Sequence, residues 1–117
     1  MECDFLFWRE IQNLIAANPI VIDRPKDKPH PRYPELIYPF DYGYLENTVS
    51  GDGEGIDVWL GSLESKTLTG ILLNFDKIER DAEIKLLVGC APDDVRIIRQ
   101  FLKRMVTLHI PNPEVRS

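Results

Sequence analysis

The chain has 117 residues, 14 Lys+Arg against 19 Asp+Glu, a formal net charge of −5 and 44% hydrophobic residues, which is the profile of a single globular domain spanning residues 1–117. No run approaches the ~18 apolar residues of a membrane span, the opening Met1-Glu2-Cys3-Asp4 is acidic where a secretory leader is basic, and the acidic balance disfavours nucleic acid as a partner. The expectations are therefore a cytoplasmic chain with no membrane and no nucleic-acid partner, forming a homo-oligomer because so small a core leaves a narrow stability margin.

Asp4 is placed to cap a helix, and Phe7/Trp8, Ile11 and Leu14/Ile15 recur at helical spacing until Asn18-Pro19 interrupts them. A short strand over 20–22 runs into Arg24-Pro25-Lys26-Asp27-Lys28-Pro29-His30-Pro31-Arg32, whose prolines exclude a helix interior or a ladder strand and predict an extended basic loop. Four β-branched, aromatic and aliphatic segments follow, over 36–45, 56–63, 68–75 and 84–90, each bounded by Gly, Asn, Asp or Ser, and they read as strands. Pro92 with Asp93 and Asp94 opens a second helix carrying Val95, Ile98, Phe101, Leu102 and Met105 on one stripe, with Lys103-Arg104 in its last turn. Residues 107–110 offer a last short strand.

The strand-rich middle has no helices to serve as parallel crossovers, which removes a doubly wound sheet. An α+β, mainly β fold remains: a small five-stranded, OB-like barrel or strongly curved antiparallel sheet, with the N-terminal and C-terminal helices packed outside. The two cysteines, Cys3 and Cys90, have no metal-binding spacing and read as reduced thiols. His30 and His109 have no partners at metal spacing, and Tyr38, Tyr44 and Trp59 read as core packing.

Charge is divided sharply along the chain. Between Tyr33 and Ser65 stand Glu35, Asp41, Glu46, Asp52, Glu54, Asp57 and Glu64 without one Lys, Arg or His. Within that stretch Gly51-Asp52-Gly53-Glu54-Gly55-Ile56-Asp57 combines closely spaced carboxylates with glycines that let the backbone bend. Crowded carboxylates repel unless a cation lies between them, and an oxygen-only donor set favours Mg²⁺, Mn²⁺ or Ca²⁺ over zinc or copper. The same stretch also reads as a solvated turn. Counted from Asp52, an EF-hand would need Gly and Glu where Asp57 and Leu63 stand, and Lys66-Thr67 follows Ser65 rather than the Gly of a Walker loop. Asp76 and Asp81 form a second acidic pair, read either as an ordinary charged hairpin turn or, if the fold brings it beside the first, as ligands for two or more divalent ions.

Taken together, Tyr38-Pro39-Phe40-Asp41-Tyr42-Gly43-Tyr44, then Asn47-Thr48, then Gly51 to Val58 resemble the soluble, Mg²⁺-dependent family I inorganic pyrophosphatases, whose pattern reads YPxxYGY/F, NT and DxDxxD. The match continues in order through Gly70-Ile71-Leu72, Asp76, Asp81 and Lys85. The resemblance implies hydrolysis of pyrophosphate by metal-activated water with two or more Mg²⁺ ions, Mn²⁺ being the substitute. It implies metal ligation by Asp52, Asp57, Asp76 and Asp81, with Asp23 in the place of a further acidic ligand. Glu54 falls where the family orients or deprotonates the attacking water, with Asp57 at the same catalytic centre. Tyr42, Lys85, Arg32 and Lys26 or Lys28 fall to substrate binding.

The chain departs from the pattern in four places. Glu54 is one methylene longer than the family's Asp, and a displacement of about 1 Å in a general base is worth ~10²-fold in rate. The basic hairpin is compressed into the proline-rich loop, two extra residues separate Asp81 from Lys85, and the family's Tyr-Lys pair near the C-terminal helix is missing, with Lys103-Arg104 in its vicinity. A non-catalytic Mg²⁺-phosphate module and a hydrolase of another phosphoanhydride are the competing readings.

Overall fold

The computed structural model describes the backbone of residues 2–115 and the side chains of residues 5–115. In chain order the elements are α1 (Glu2–Ala17), β1 (Ile20–Arg24), β2 (Asp41–Leu45), β3 (Ile56–Leu60), β4 (Leu68–Asp76), β5 (Asp81–Val88), α2 (Pro92–Phe101) and β6 (Val106–Pro111). All six strands share one sheet in the order β1-β2-β3-β5-β4-β6. Neighbours are antiparallel except β3 and β5, which run parallel.

The sheet is open, which corrects the expected five-stranded, OB-like barrel while leaving the α+β class in place. It stays open because β6 takes the outer side of β4, where β1 would have to pair to close a barrel. The chain leaves β3, lays down β4 one position further out, and returns through the tight 77–80 turn as β5 between the two. A strand of the same sheet thus makes the crossover that was expected to need a helix. β6 then joins the outer side of β4, so β1 and β6 are the two edges.

Successive side chains of a strand point to opposite faces, and here each face has its own helix. Val58, Ile71, Leu86 and Val88 pack with Trp8 and Ile15 of α1. Their sequence neighbours Trp59, Leu72 and Leu87 pack with Val95 and Ile98 of α2, together with Phe40 and Cys90. α1 begins at Glu2 rather than at a cap on Asp4, whose side chain, like that of Cys3, lies outside the described residues. α2 begins where the sequence predicts, with Asp94 accepting the Ala91 N–H at 2.8 Å, but it ends at Phe101, leaving Leu102, Lys103, Arg104 and Met105 beyond it. The segment 36–40 forms no strand, and within it only Ile37 bridges, to Pro29. This bridge closes the basic loop on itself, with the His30 N–H donating to the Leu36 carbonyl at 2.8 Å and the Asp27 N–H to that of Tyr38 at 2.8 Å.

Candidate active site

Lys85 is the centre of a polar cluster on the α2 face of the sheet. It lies on β5 directly opposite Asp57 of β3, and its side chain is almost fully buried, with 8% of the residue exposed. Its ammonium donates to Asp57 Oδ2 at 2.8 Å, to Glu83 Oε2 at 2.7 Å and to the Tyr42 hydroxyl oxygen at 2.6 Å. Three strands converge on one nitrogen: β2 supplies Tyr42, β3 Asp57 and β5 both Glu83 and Lys85. Two carboxylates against one ammonium leave one net negative charge.

Burial alone, the largest influence on Lys85, would weaken its hold on the proton; the surrounding Tyr42 oxygen and the Asp57 and Glu83 carboxylates outweigh it and leave the ammonium more basic than a free lysine. Burial also raises the Tyr42 hydroxyl above its ordinary range, which keeps the phenol protonated despite the adjacent charge. Beside this cluster, Asn74 of β4 lies directly across from Glu83. It is 3% exposed, and neither its amide nitrogen nor its amide oxygen has a protein partner. A buried amide with both ends unsatisfied costs free energy unless water or a ligand completes it.

The structure unites three of the sequence-predicted site residues: Tyr42, Asp57 and Lys85. The others stand apart from their ion pair. Asp52 turns onto its own loop, its Oδ1 accepting from Ser50 Oγ at 2.5 Å and from the Glu54 N–H at 2.9 Å, and these hydrogen bonds hold its pKa low. Glu54 is exposed on that loop. Asp76 caps the 77–80 turn through the N–H groups of Ile78 at 2.9 Å and Glu79 at 3.1 Å. Asp81 is exposed and lies on β5 four residues before Lys85, about 13 Å along the strand. Because β3 and β5 are parallel and β5 starts four residues earlier, the 46–55 loop and the 77–80 turn occupy the same end of the sheet.

Asp23 is the exposed residue at the irregularity in β1. Lys26 places its ammonium 5.4 Å from the centre of the Phe40 ring and donates its N–H to Asp41 at 2.8 Å. Lys28 and Arg32 are exposed, and the Arg32 N–H donates to His30 Nδ1 at 3.0 Å. Two functional candidates escaped the sequence reading. Glu83 shares a face with Asp81 and Lys85 by simple alternation, a signal present in the sequence. Arg24 pairs with Tyr42 across β1 and β2 only because the register shifts at Asp23, and that shift has no signature in the sequence.

Among the described residues, no three of His, Cys, Asp and Glu gather as a metal would require. Asp57 and Glu83 flank the Lys85 ammonium as a pair. The donors there are all oxygens, they already hold a cationic group, and an orphaned amide oxygen stands across the strand. This chemistry fits a hard divalent ion such as Mg²⁺, which commonly takes one or two carboxylates and completes its shell with water and substrate phosphate.

No family model matches the chain, and no curated protein does. Among solved structures the chain is similar to one described as an inorganic phosphatase from Anaplasma phagocytophilum, with 16% identity, coverage of 77% of this chain and 80% of that one, and a TM-score of 0.49. Likeness at that level carries no argument about chemistry.

Proposed function

We propose that the chain hydrolyses pyrophosphate to two phosphates in a magnesium-dependent reaction. One observation carries the reading: Tyr42, Asp57 and Lys85, assigned to one centre by sequence resemblance, come from three different strands and meet around a single atom at 2.6–2.8 Å. Asp57 and Glu83 would hold the ion, and Asp52, Asp76 and Asp81, at the same end of the sheet, would serve further ions. Bound magnesium supplies a water of lowered pKa and neutralises phosphate charge.

The remaining roles belong to the chain itself. Tyr42, protonated and fixed by Trp59 at a ring separation of 4.6 Å, donates a hydrogen bond to a phosphate oxygen. Lys85 binds the same anion as a buried point charge. Arg24 extends the cationic wall across β1, and Lys28 and Arg32 draw the anion in from the rim. Glu54 receives the proton of the attacking water.

The test is phosphate release from pyrophosphate with Mg²⁺, run beside tripolyphosphate and a nucleoside triphosphate. Turnover by the natural chain is expected to exceed that of Asp57→Asn by at least ~10²-fold, and equal rates would overturn the reading. A second reading, a phosphate-binding module without turnover, is favoured by the Asp52 carboxylate being engaged by its own loop. Its signature would be saturable phosphate binding in the absence of hydrolysis.

A further inference from the structure

We propose that Lys85 is a built-in counter-ion that occupies the cation seat between Asp57 and Glu83 and must leave it before a divalent ion can bind. The inference rests on the functional reading only for the identity of the ion; the contacts of Lys85 stand independently of it. An ammonium held within 2.8 Å of both carboxylates repels a dication brought to the same pair. Asp57 Oδ2 and Glu83 Oε2 both accept from Lys85, at 2.8 and 2.7 Å, so the ammonium fills the space between them. Magnesium entry therefore exchanges one cation for another, and affinity is reduced by however strongly the tethered ammonium holds its place.

Charge works in the same direction. With Lys85 present the seat carries one net negative charge; without it, two, and at these distances each unit changes the attraction for a dication by a large factor. The unpartnered Asn74 amide, buried across the strand from Glu83, supplies a neutral oxygen that Lys85 does not use and that an incoming ion or its water can. A lysine has four rotatable carbons, so an ammonium displaced from the seat remains close enough to meet an anion bound at the metal. The same residue then closes the empty site and binds substrate in the filled one.

The experiment uses MgCl₂ alone, without any phosphate compound. Calorimetric titration of the natural chain is compared with Lys85→Met, each checked for fold by circular dichroism. Lys85→Met is expected to bind Mg²⁺ at least ~10-fold more tightly, and Asp57→Asn introduced into that variant is expected to abolish the gain. Should Lys85→Met fail to fold, the natural chain still decides the matter. A buried, triply hydrogen-bonded ammonium exchanges slowly with water and gives a resolved ¹H–¹⁵N signal, which Mg²⁺ is expected to titrate away. Equal or weaker Mg²⁺ binding by Lys85→Met would overturn the proposal, as would Mg²⁺ binding to the natural chain with the ammonium signal intact. Tighter Mg²⁺ binding by Lys85→Met in a chain that never turns over pyrophosphate would overturn the functional reading and leave the counter-ion role standing.

Discussion

Asp94 accepts three hydrogen bonds through its side chain, more than any other acid among the described residues. Its carboxylate is 5% exposed and accepts from the Ala91 N–H, the Ser62 N–H and the Ser62 hydroxyl at 2.7–2.8 Å, tying the start of α2 to the end of β3. Burial raises its pKa, but these donors outweigh burial and leave it below the ordinary carboxylate value. A depressed pKa means stability that is present in full above the unfolded value, near pH 4, and is lost as pH falls through the folded value. The Asp94→Ala chain is expected to lose on the order of 3 kcal/mol in urea unfolding at pH 7 and to show a smaller further loss between pH 4 and pH 2 than the natural chain. Parallel acid profiles would show that another group governs that range.

A second group away from the site is shifted in an instructive direction. Cys90 is buried, and its thiol is pushed up to about 12 by burial and by the nearby Asp94, so almost no thiolate exists at neutral pH. In a Cys3→Ser background, Cys90 is expected to react with a disulfide reagent only at the rate of unfolding; prompt labelling in native buffer would contradict its placement. Legibility at this scale was uneven. Motif order names Tyr42, Asp57 and Lys85, which the sheet brings into contact, whereas no motif names Glu83, and only the alternation along β5 sets it beside Lys85. The rotation of Asp52 onto Ser50 is a matter of local hydrogen bonding in a glycine-rich turn, where several conformations satisfy the same residues.

At the scale of elements, the glycine with the least room for a side chain is Gly43, where β2 meets β1. A Cβ at Gly43 would stand 1.7 Å from the Val21 carbonyl oxygen and 2.7 Å from its carbonyl carbon, and because both are backbone atoms no side-chain rotation could relieve the clash. Gly43→Ala is therefore expected to cost at least ~2 kcal/mol, measured as a shift in the urea midpoint, and to disturb Tyr42 with its strand. An unchanged midpoint would show that β1 can give way. Strand identity was largely legible, because alternating apolar runs bounded by turn residues reappear as β2 to β6. Their order was not. Whether a strand returns beside its predecessor or one position away depends on which pairing buries both faces, and Leu72 and Leu87 record that choice only once the fold is formed. Residues 36–40 failed as a strand because Pro39 and the closure of the basic loop redirect their backbone groups.

For the whole molecule the division of one sheet between two cores has a mechanical consequence. Val58 and Trp59, Ile71 and Leu72, and Leu86 and Leu87 are adjacent pairs split between the α1 side and the α2 side. Peeling α1 away exposes one face of β3, β4 and β5, but the same peptide units hold the other face, so neither core can disorder without loosening the strands they share. The chain is expected to unfold as one cooperative unit. Trp8→Ala makes the test direct. Truncating this buried α1 residue removes about 3–5 kcal/mol and leaves Trp59, on the opposite face, as the remaining tryptophan of the two. If the cores are coupled, the melt followed by Trp59 emission shifts down together with the melt followed by far-ultraviolet dichroism, and the two stay superimposed. A Trp59 transition that stays at the natural temperature while helical signal is lost early would mean that α1 is an independent cover and that the site-bearing face stands without it.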